Sequence, residues 1–507
     1  MVISIKMRFF VILTVLTLFV SGCSTLKPVQ LPDENTLPPS DAPLWQSLTA
    51  IRPDNWFVLL NDGKRALDWR LTAIDSAVES IDLQTFLWDF DTAGSLILDR
   101  LVSSADRGVF IRILIDDTFL ISEDQILVGL ADHPKIEYRV FNPFKHRSSG
   151  FVSREILNLT EFHRLDHRMH NKAMIVDNQI VIIGGRNLAD EYFGLNSEAN
   201  FRDMELLAGG PIVQEVTASF DDYFNDDWSL PIDMVTHIEP NFIDLDSVRH
   251  LRDPGVYEYE DISPEARRLL WEDAVRKAFG GEAFLFVDKP PVENPSADSS
   301  APVQLAMQMV ALLNEAEEEI LIISAYLIPS IKLEGAVKRA VQRGVDVRIL
   351  TNSIRSNNHL AAHSAYRKHI NELLTDGAKL HEVRIDASDR HLYMFPPTDK
   401  KSLALHAKAM VIDGDKLFIG SANLDPRSLR LNTEMGLLVY SEALNAEVRS
   451  MVERDFSQEN AWHLKFNEDG NIIWVSGNVV LTSQPAESFM QRIEDWFFMH
   501  LPIEDEM

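Results

Sequence analysis

MHNKAMIVDNQIVIIGGRNL, residues 169–188, returns 236 residues later as LHAKAMVIDGDKLFIGSANL, residues 405–424. The first copy follows two other histidines, His163 and His167, yet only His170 has a counterpart in the second copy, His406. Another phrase shares the offset: ADRGVFIRILIDD, residues 105–117, matches VQRGVDVRILTNS, residues 341–353, and pairs Gly108 with Gly344. Two motifs at one spacing mark an internal duplication. Each half also opens with a helical pattern running into an apolar strand, as in MVALLNEAEEEILIISAYLI, where Met309, Leu312, Leu313 and Ala316 recur at buried-helix spacing. Alternating helices and strands predict an α/β fold built as two pseudo-symmetric sandwich halves.

Within the repeated stretch, strand alternation places His170, Lys172, Met174 and Val176 on one face, and His406, Lys408, Met410 and Ile412 on the matching face. A histidine and a lysine therefore point the same way in each copy. Asp177 and Asp413 fall on the opposite parity at the strand end, the second followed by Gly414, and read as turn or scaffold groups ahead of direct substrate contact. GGRN and GSAN then put Asn187 and Asn423 at a glycine-rich turn entering a helix, where amide donors can hold an anion. Gly185 stands where the second copy has Ser421, so a hydroxyl is available from one half only and an asymmetric site is expected. Downstream, RDMELL and TEMGLL align Asp203 with Glu434. Either could hold a histidine ring nitrogen or form an ordinary surface pair. His359 and His363 have the i, i+4 spacing of zinc ligands, but no HExxH glutamate or third ligand accompanies them. They read as head-group contacts or helix packing, with Tyr366 placed to line the same cleft. HLYMFPPTDKKS, residues 391–402, reads as an exposed loop rather than a lid.

The chain has 507 residues, 46% hydrophobic and 25% charged, room for two or three domains. Its formal net charge of -29 disfavours nucleic-acid partners and broad adsorption on anionic lipid, so membrane attachment should come from a hydrophobic anchor. Residues 1–23 supply one: a basic start, an apolar run at 9–20 too short to span a bilayer, and VSGC, which resembles a bacterial lipobox. On that resemblance Cys23 is lipidated and becomes the mature N-terminus. It is the single cysteine, so no intramolecular disulfide can form. Residues 24–45, rich in proline, predict an extended tether lifting the body off the bilayer. The body divides into an N-terminal unit, 46–243, a linker or insertion, 244–300, and a C-terminal unit, 301–507. SFMQRIEDWFFMHLPIE, near the end, reads as an amphipathic helix stopped by Pro502 and packed on the core rather than facing a membrane.

The duplicated H-x-K-x4-D, each copy followed after six residues by G-[GS]-x-N, resembles the phospholipase D superfamily over nearly all of the chain beyond the leader. GGRNLADEYF, SNNHLAAHSAYRKHI, NLDPRSLRLNTEMGLLV and the terminal LPIE narrow the resemblance to the bacterial branch that contains cardiolipin synthase C-type enzymes. That likeness implies one active site at the interface of the two halves. It makes His170 the nucleophile that forms a phosphohistidine and His406 the acid and base, with Lys172 and Lys408 supplying positive charge and no metal or other cofactor required. Asp177 and Asp413 belong to the same motif. Asn187, Ser421 and Asn423 would cradle the phosphate, and Asp203 and Glu434 would orient the histidines. The implied activity is transfer of a phosphatidyl group onto phosphatidylglycerol to make cardiolipin, with phosphatidylethanolamine a further candidate substrate. Hydrolysis of phospholipids to phosphatidic acid shares the intermediate, and a phosphodiesterase or nuclease of the same fold is the third reading. A lipoprotein facing the periplasm is implied, and Ser24 after the cysteine favours the outer membrane.

Overall fold

A computed structural model describes residues 27–500, apart from 121–123, 148–153, 155–156, 159–160, 237–256, 258, 292–303 and 358. The leader with Cys23, much of the expected linker, and Pro502 with LPIE lie outside the described residues. The duplication appears as two mixed sheets. In the first, Ser80–Thr85, Phe110–Asp116 and Ile136–Phe141 run parallel at one side, while the hairpin Ala173–Val176/Ile180–Gly184 leads antiparallel to Glu205–Gly209 and Trp56–Leu60. The second repeats the plan with Glu319–Ser324, Asp346–Asn352 and Lys379–Val383 parallel, then Lys408–Ile412, Lys416–Gly420 and Met435–Tyr440 antiparallel.

The matched Arg-Gly-Val phrases end matched helices, Thr92–Asp106 and Ile331–Gln342. Gly108 and Gly344 take φ of +103° and +93°, so the following valine amides fold back onto Ser104 and Ala340 carbonyls at 3.1 Å each. Glycine takes that left-handed turn without steric cost, which is why both copies carry it. The valine then starts the chain into the next parallel strand.

One apolar core runs between the sheets. Phe57, Ile183 and Leu206 of the first half share it with Leu321, Ile419 and Leu437 of the second, and the helices Ile212–Phe224 and Glu442–Asp455 contribute to it. Each sheet has its own helix-covered core on the outer face. The halves therefore pack sheet against sheet, and the ends of the repeated hairpins meet at that interface.

The segments expected as tether and as linker or insertion carry structure of their own. Residues 29–42 are extended but strapped onto the first half rather than hanging free. Val29 donates to the Asp227 carbonyl at 2.9 Å, Ser40 to the Asp177 carbonyl at 3.0 Å, and Thr36 Oγ1 to Asp82 at 2.9 Å. The cause is Arg112, buried between Asp82 and Asp221, whose remaining donors take the Glu34 carbonyl and Thr36. The stretch expected as linker or insertion, 244–300, contains a helix, Pro264–Lys277, whose Trp271 packs on Trp45 and Trp69 of the first half. It ends in two strands: Phe279–Gly280 adds to the first sheet and Glu282–Val287 to the second. One expectation fails for a related reason. The loop 391–402 is not simply exposed: Tyr393 and Met394 are buried, and Thr398 Oγ1 reaches the Gly194 carbonyl of the first half at 2.7 Å.

Candidate active site

His170 and His406 are the ends of two exchanges between halves. Ala199–Arg202 of the first half pairs in parallel with Ser402–Leu405 of the second, and the Arg202 carbonyl then accepts from the amides of His406 and Ala407 at 2.9 Å each. On the other side the exchange shrinks to one parallel bridge between Met169 and Thr433, whose carbonyl accepts from the His170 amide at 2.9 Å. The hairpin strand accordingly begins at Ala173 in the first copy and at Lys408 in the second, later than alternation predicts. The residues before it pair with the opposite half.

This exchange delivers the carboxylates crosswise. Asp203, next after Arg202, holds His406 Nδ1 at 2.7 Å, and Glu434, next after Thr433, holds His170 Nδ1 at 2.9 Å. All four side chains are buried. Each histidine is thus held by an acid from the other half, which no single-copy reading of the sequence could show. A carboxylate at Nδ1 selects the tautomer that carries its proton there, which leaves Nε2 as the nitrogen able to attack or to carry a proton.

The lysines turn back onto their own histidines. Lys172 Nζ donates to the His170 carbonyl at 2.7 Å, and Lys408 Nζ to the His406 carbonyl. Burial brings Lys172 down to about 7 and Lys408 to about 8. Burial also lowers both imidazoles, His406 to about 3 and His170 well below its ordinary value, and Lys172 and Lys408 each act on both. The two histidines and two lysines therefore form one electrostatic cluster. Their carboxylates differ. Burial would raise Asp203, but His406, Lys408 and Arg186 outweigh it and hold that carboxyl well below the usual range. Burial pushes Glu434 up to about 7 despite Lys172 and Ser421.

The sequence difference GGRN against GSAN contributes to that contrast. Arg186 is buried, donates to the Asp203 carbonyl at 2.7 Å, and has Ala422 as its counterpart. Gly185 is required where it stands, since a Cβ there would lie 2.4 Å from Asp203 Oδ1. Ser421 is corrected as a phosphate contact: its hydroxyl donates to Glu434 and accepts from the Met435 amide at 3.0 Å. The expected asymmetry exists, but it acts through the carboxylate.

Asp177 and Asp413, which the motif sets beside the catalytic histidines and lysines, sit at the far ends of their strands and touch neither histidine. Asp177, at φ +53°, accepts from the amides of Val78, Glu79 and Ser80 at 2.8 Å each and from Trp45 Nε1 at 2.6 Å. Asp413, at φ +50°, does the same for Glu317, Glu318 and Glu319 at 2.8–3.2 Å. Each carboxylate seals the start of the neighbouring central strand. Asn187 and Asn423 are buried on their turns, each with Oδ1 unpartnered, and Asn187 Nδ2 donates to Tyr192 OH at 2.8 Å.

Tyr192 and Phe86 complete the walls and were missed from sequence. The Tyr192 ring stands edge-on to His406 at 4.9 Å, and Phe86 stands edge-on to His170 at 4.8 Å with Lys172 Nζ over its face. Tyr192 lies in GGRNLADEYF, five residues past Asn187, so the repeat's phrase carried a signal for it. Asp116 and Asn352, matched across the repeat, were also missed: they bond Met169 and Leu405, the residues preceding the two histidines, at 3.0 and 2.8 Å. His167 Nδ1 meets the Leu431 carbonyl of the second half at 2.8 Å and is structural. The side chain of His163 lies outside the described residues. His363 is buried and bonded to Asp495 at 2.9 Å, His359 packs against Tyr326, and Tyr366 is buried in the outer core of the second half rather than in the cleft. Among the described residues, no group of three or more His, Cys, Asp or Glu is placed to hold a metal.

A buried pair of carboxylate-held histidines from a duplicated motif, each with its own lysine and both under the charge of the two, defines a phosphoryl-transfer centre of phospholipase D type. The family described as "Cardiolipin synthase, PLD-like domain" matches residues 71–228 and 309–456, and the chain belongs to that family. It is 32% identical over 450 residues to "Cardiolipin synthase C" of Escherichia coli (strain K12), covering 86% of this chain and 92% of that one. It is 30% identical over 450 residues to an "Uncharacterized protein" of Helicobacter pylori (strain ATCC 700392 / 26695), covering 87% of each. The phosphatidylserine synthase structure from Haemophilus influenzae Rd KW20 shares the fold, with TM-score 0.54 at 14% identity over 82% of this chain and 91% of that chain.

Proposed function

We propose that the protein is a phosphatidyltransferase that makes cardiolipin on phosphatidylglycerol through a phosphohistidine. The crossed pairs His170–Glu434 and His406–Asp203 carry the reading. His170 Nε2 attacks phosphorus as the P–O bond to the leaving alcohol breaks, and His406, which takes up a proton on Nε2 when the anionic phosphodiester offsets the burial and the lysine charge that lower it in the free protein, gives that alcohol the proton. His406 then takes the proton of the acceptor hydroxyl of phosphatidylglycerol, whose oxygen displaces His170. Asp203, ionised and backed by Arg186, favours an imidazolium on His406 while it carries the proton. Glu434, raised to about 7, favours a cation on its partner less, and His170 is the better placed neutral nucleophile. Lys172 and Lys408 balance the phosphoryl oxygens, and Asn187 and Asn423, on matching turns of the two halves, are the side chains that would cradle the same group.

Purified protein given phosphatidylglycerol, with and without phosphatidylethanolamine, is expected to yield cardiolipin with little phosphatidic acid. Phosphatidic acid alone would replace transfer with hydrolysis, and nucleic-acid cleavage without lipid turnover would sink the lipid reading. A phosphohistidine that accumulates in His406→Ala but not in His170→Ala supports the order of the two residues. The reading also includes attachment by a lipidated Cys23, facing the periplasm and favouring the outer membrane, supported by the leader and VSGC. Labelling with a radioactive fatty acid should be lost in Cys23→Ser. No helix among the described residues is long and apolar enough to cross a membrane.

A further inference from the structure

The C-terminal helix, Phe489–Met499, is packed inside out. Its one fully buried side chain is Asp495, while Phe489, Met490, Ile493, Trp496 and Phe497 are 75%, 60%, 43%, 55% and 56% exposed. At about 100° per residue these five form one stripe roughly 120° wide, directly opposite Asp495 and Gln491, with Arg492 and Glu494 at its edges. The inward face is fixed by polar contacts. Asp495 accepts from His363 Nδ1, Ser364 Oγ and Arg367 Nη1 at 2.9 Å each, all on the helix Leu360–Thr375, and Gln491 donates to the Ile354 carbonyl at 3.1 Å. The expectation of a helix packed on the core by its apolar side is thus reversed.

We propose that this stripe is an interfacial docking surface for the phospholipid bilayer that contains the substrate. The inference rests on the phosphatidyltransferase reading for its choice of occupant and goes beyond it in assigning the surface. Three observations select a bilayer. The stripe combines large apolar side chains with a tryptophan and is bordered by charged residues, the make-up of a helix lying at a lipid–water boundary. It is also tied to the catalytic centre. Gln491 holds Ile354, two residues after Asn352, and Asn352 bonds both backbone groups of Leu405, the neighbour of His406, at 2.8 Å. Finally, five side chains at these exposures offer roughly 500 Å², short of the ~800 Å² that each partner gives to a stable protein interface. With a net charge of -29 the chain gains little from anionic head groups, so docking should depend on apolar insertion and tolerate salt.

The test uses the full chain and vesicles of phosphatidylethanolamine and phosphatidylglycerol brominated in their acyl chains. Tryptophan quenching is measured in the wild type and in Trp496→Phe, and the difference reports position 496 alone. Attachment through Cys23 does not by itself bring that side chain among acyl chains. Quenching assigned to Trp496 at both low and high salt is expected. Phe489→Ser with Phe497→Ser should lower cardiolipin formation on vesicles about tenfold. The same pair should leave turnover of a short-chain, monomeric phosphatidylglycerol unchanged. Cardiolipin formation without quenching of Trp496 overturns the proposal. So does a wild-type dimer that the double variant converts to monomer, which would make a second copy the occupant. Quenching without cardiolipin formation from either lipid leaves docking standing and removes the transferase reading.

Discussion

Lys172 and Lys408 are positive only while protonated, and burial has brought them to about 7 and about 8. The charge that receives a phosphoryl group is therefore present below those values and lost as pH rises through them. The kcat/KM for phosphatidyl transfer should fall between about pH 7 and 8, and inhibition by inorganic phosphate should weaken over the same range. A bound phosphate raises both lysines again, so the limb in kcat should lie at higher pH than the limb in kcat/KM. The orienting acids should differ as well. Asp203→Asn removes a carboxylate held ionised, and its kcat should fall ~100-fold or more, whereas Glu434→Gln should cost ~10-fold. Glu434→Gln should also remove an acid limb near pH 7, where the wild-type carboxyl loses its charge as pH falls through about 7. Equal losses for the two variants would contradict the asymmetry. In the sequence, register and repetition picked out His170, Lys172 and their counterparts, because a motif is local. That Asp203 serves His406 and Glu434 serves His170 is a property of strands exchanged between halves, and no linear spacing encodes it.

Asp177 and Asp413 show how a motif residue can belong to an element instead of to the chemistry. Asp177→Ala strips acceptors from three amides and the Trp45 indole, leaving donors buried without partners. Global stability in guanidinium should drop by ~3–5 kcal/mol, while kcat per folded molecule stays within about fivefold. Asp413→Ala, whose amide partners are more exposed, should cost ~1–2 kcal/mol. A large kcat loss with unchanged stability would return these aspartates to the catalytic set. The C-terminal helix depends on Asp495 in the same way. Asp495→Ala should abolish amide-exchange protection across Phe489–Met499 and leave the two sheets protected, because that carboxylate gathers the helix's buried contacts. The apolar periodicity of this segment was legible, but its direction was not. Periodicity shows that a face exists, and a buried His363–Asp495 pair decides which side turns inward.

At the scale of the molecule, duplication was plain in the sequence and the limits of the two units were not. A pattern search divides a chain where periodicity weakens, whereas the polypeptide crosses between sheets within residues 279–287, adding one strand to each. The segments before it, 29–42 and Pro264–Lys277, belong to the first half through Arg112 and Trp271, single anchors that leave no periodic trace. The central core, shared by Phe57, Leu206, Leu321 and Leu437, makes the halves one cooperative unit despite their repeat origin. Denaturation of the full chain should then give a single transition by fluorescence and circular dichroism alike. The inter-half pair Arg202–Asp455 probes this directly. Arg202 of the first half meets Asp455 of the second at 3.0 Å, and Tyr393 OH donates to the same carboxylate at 2.8 Å. Asp455→Ala leaves a buried guanidinium uncompensated and should cost ~3–5 kcal/mol. If the halves fold as one, the whole transition moves to lower denaturant. Independent halves would instead show a second, unshifted transition from the sheet that keeps its own contacts. Because Arg202 is followed by Asp203, the same substitution should also slow turnover, by loosening the strand that carries the carboxylate to His406.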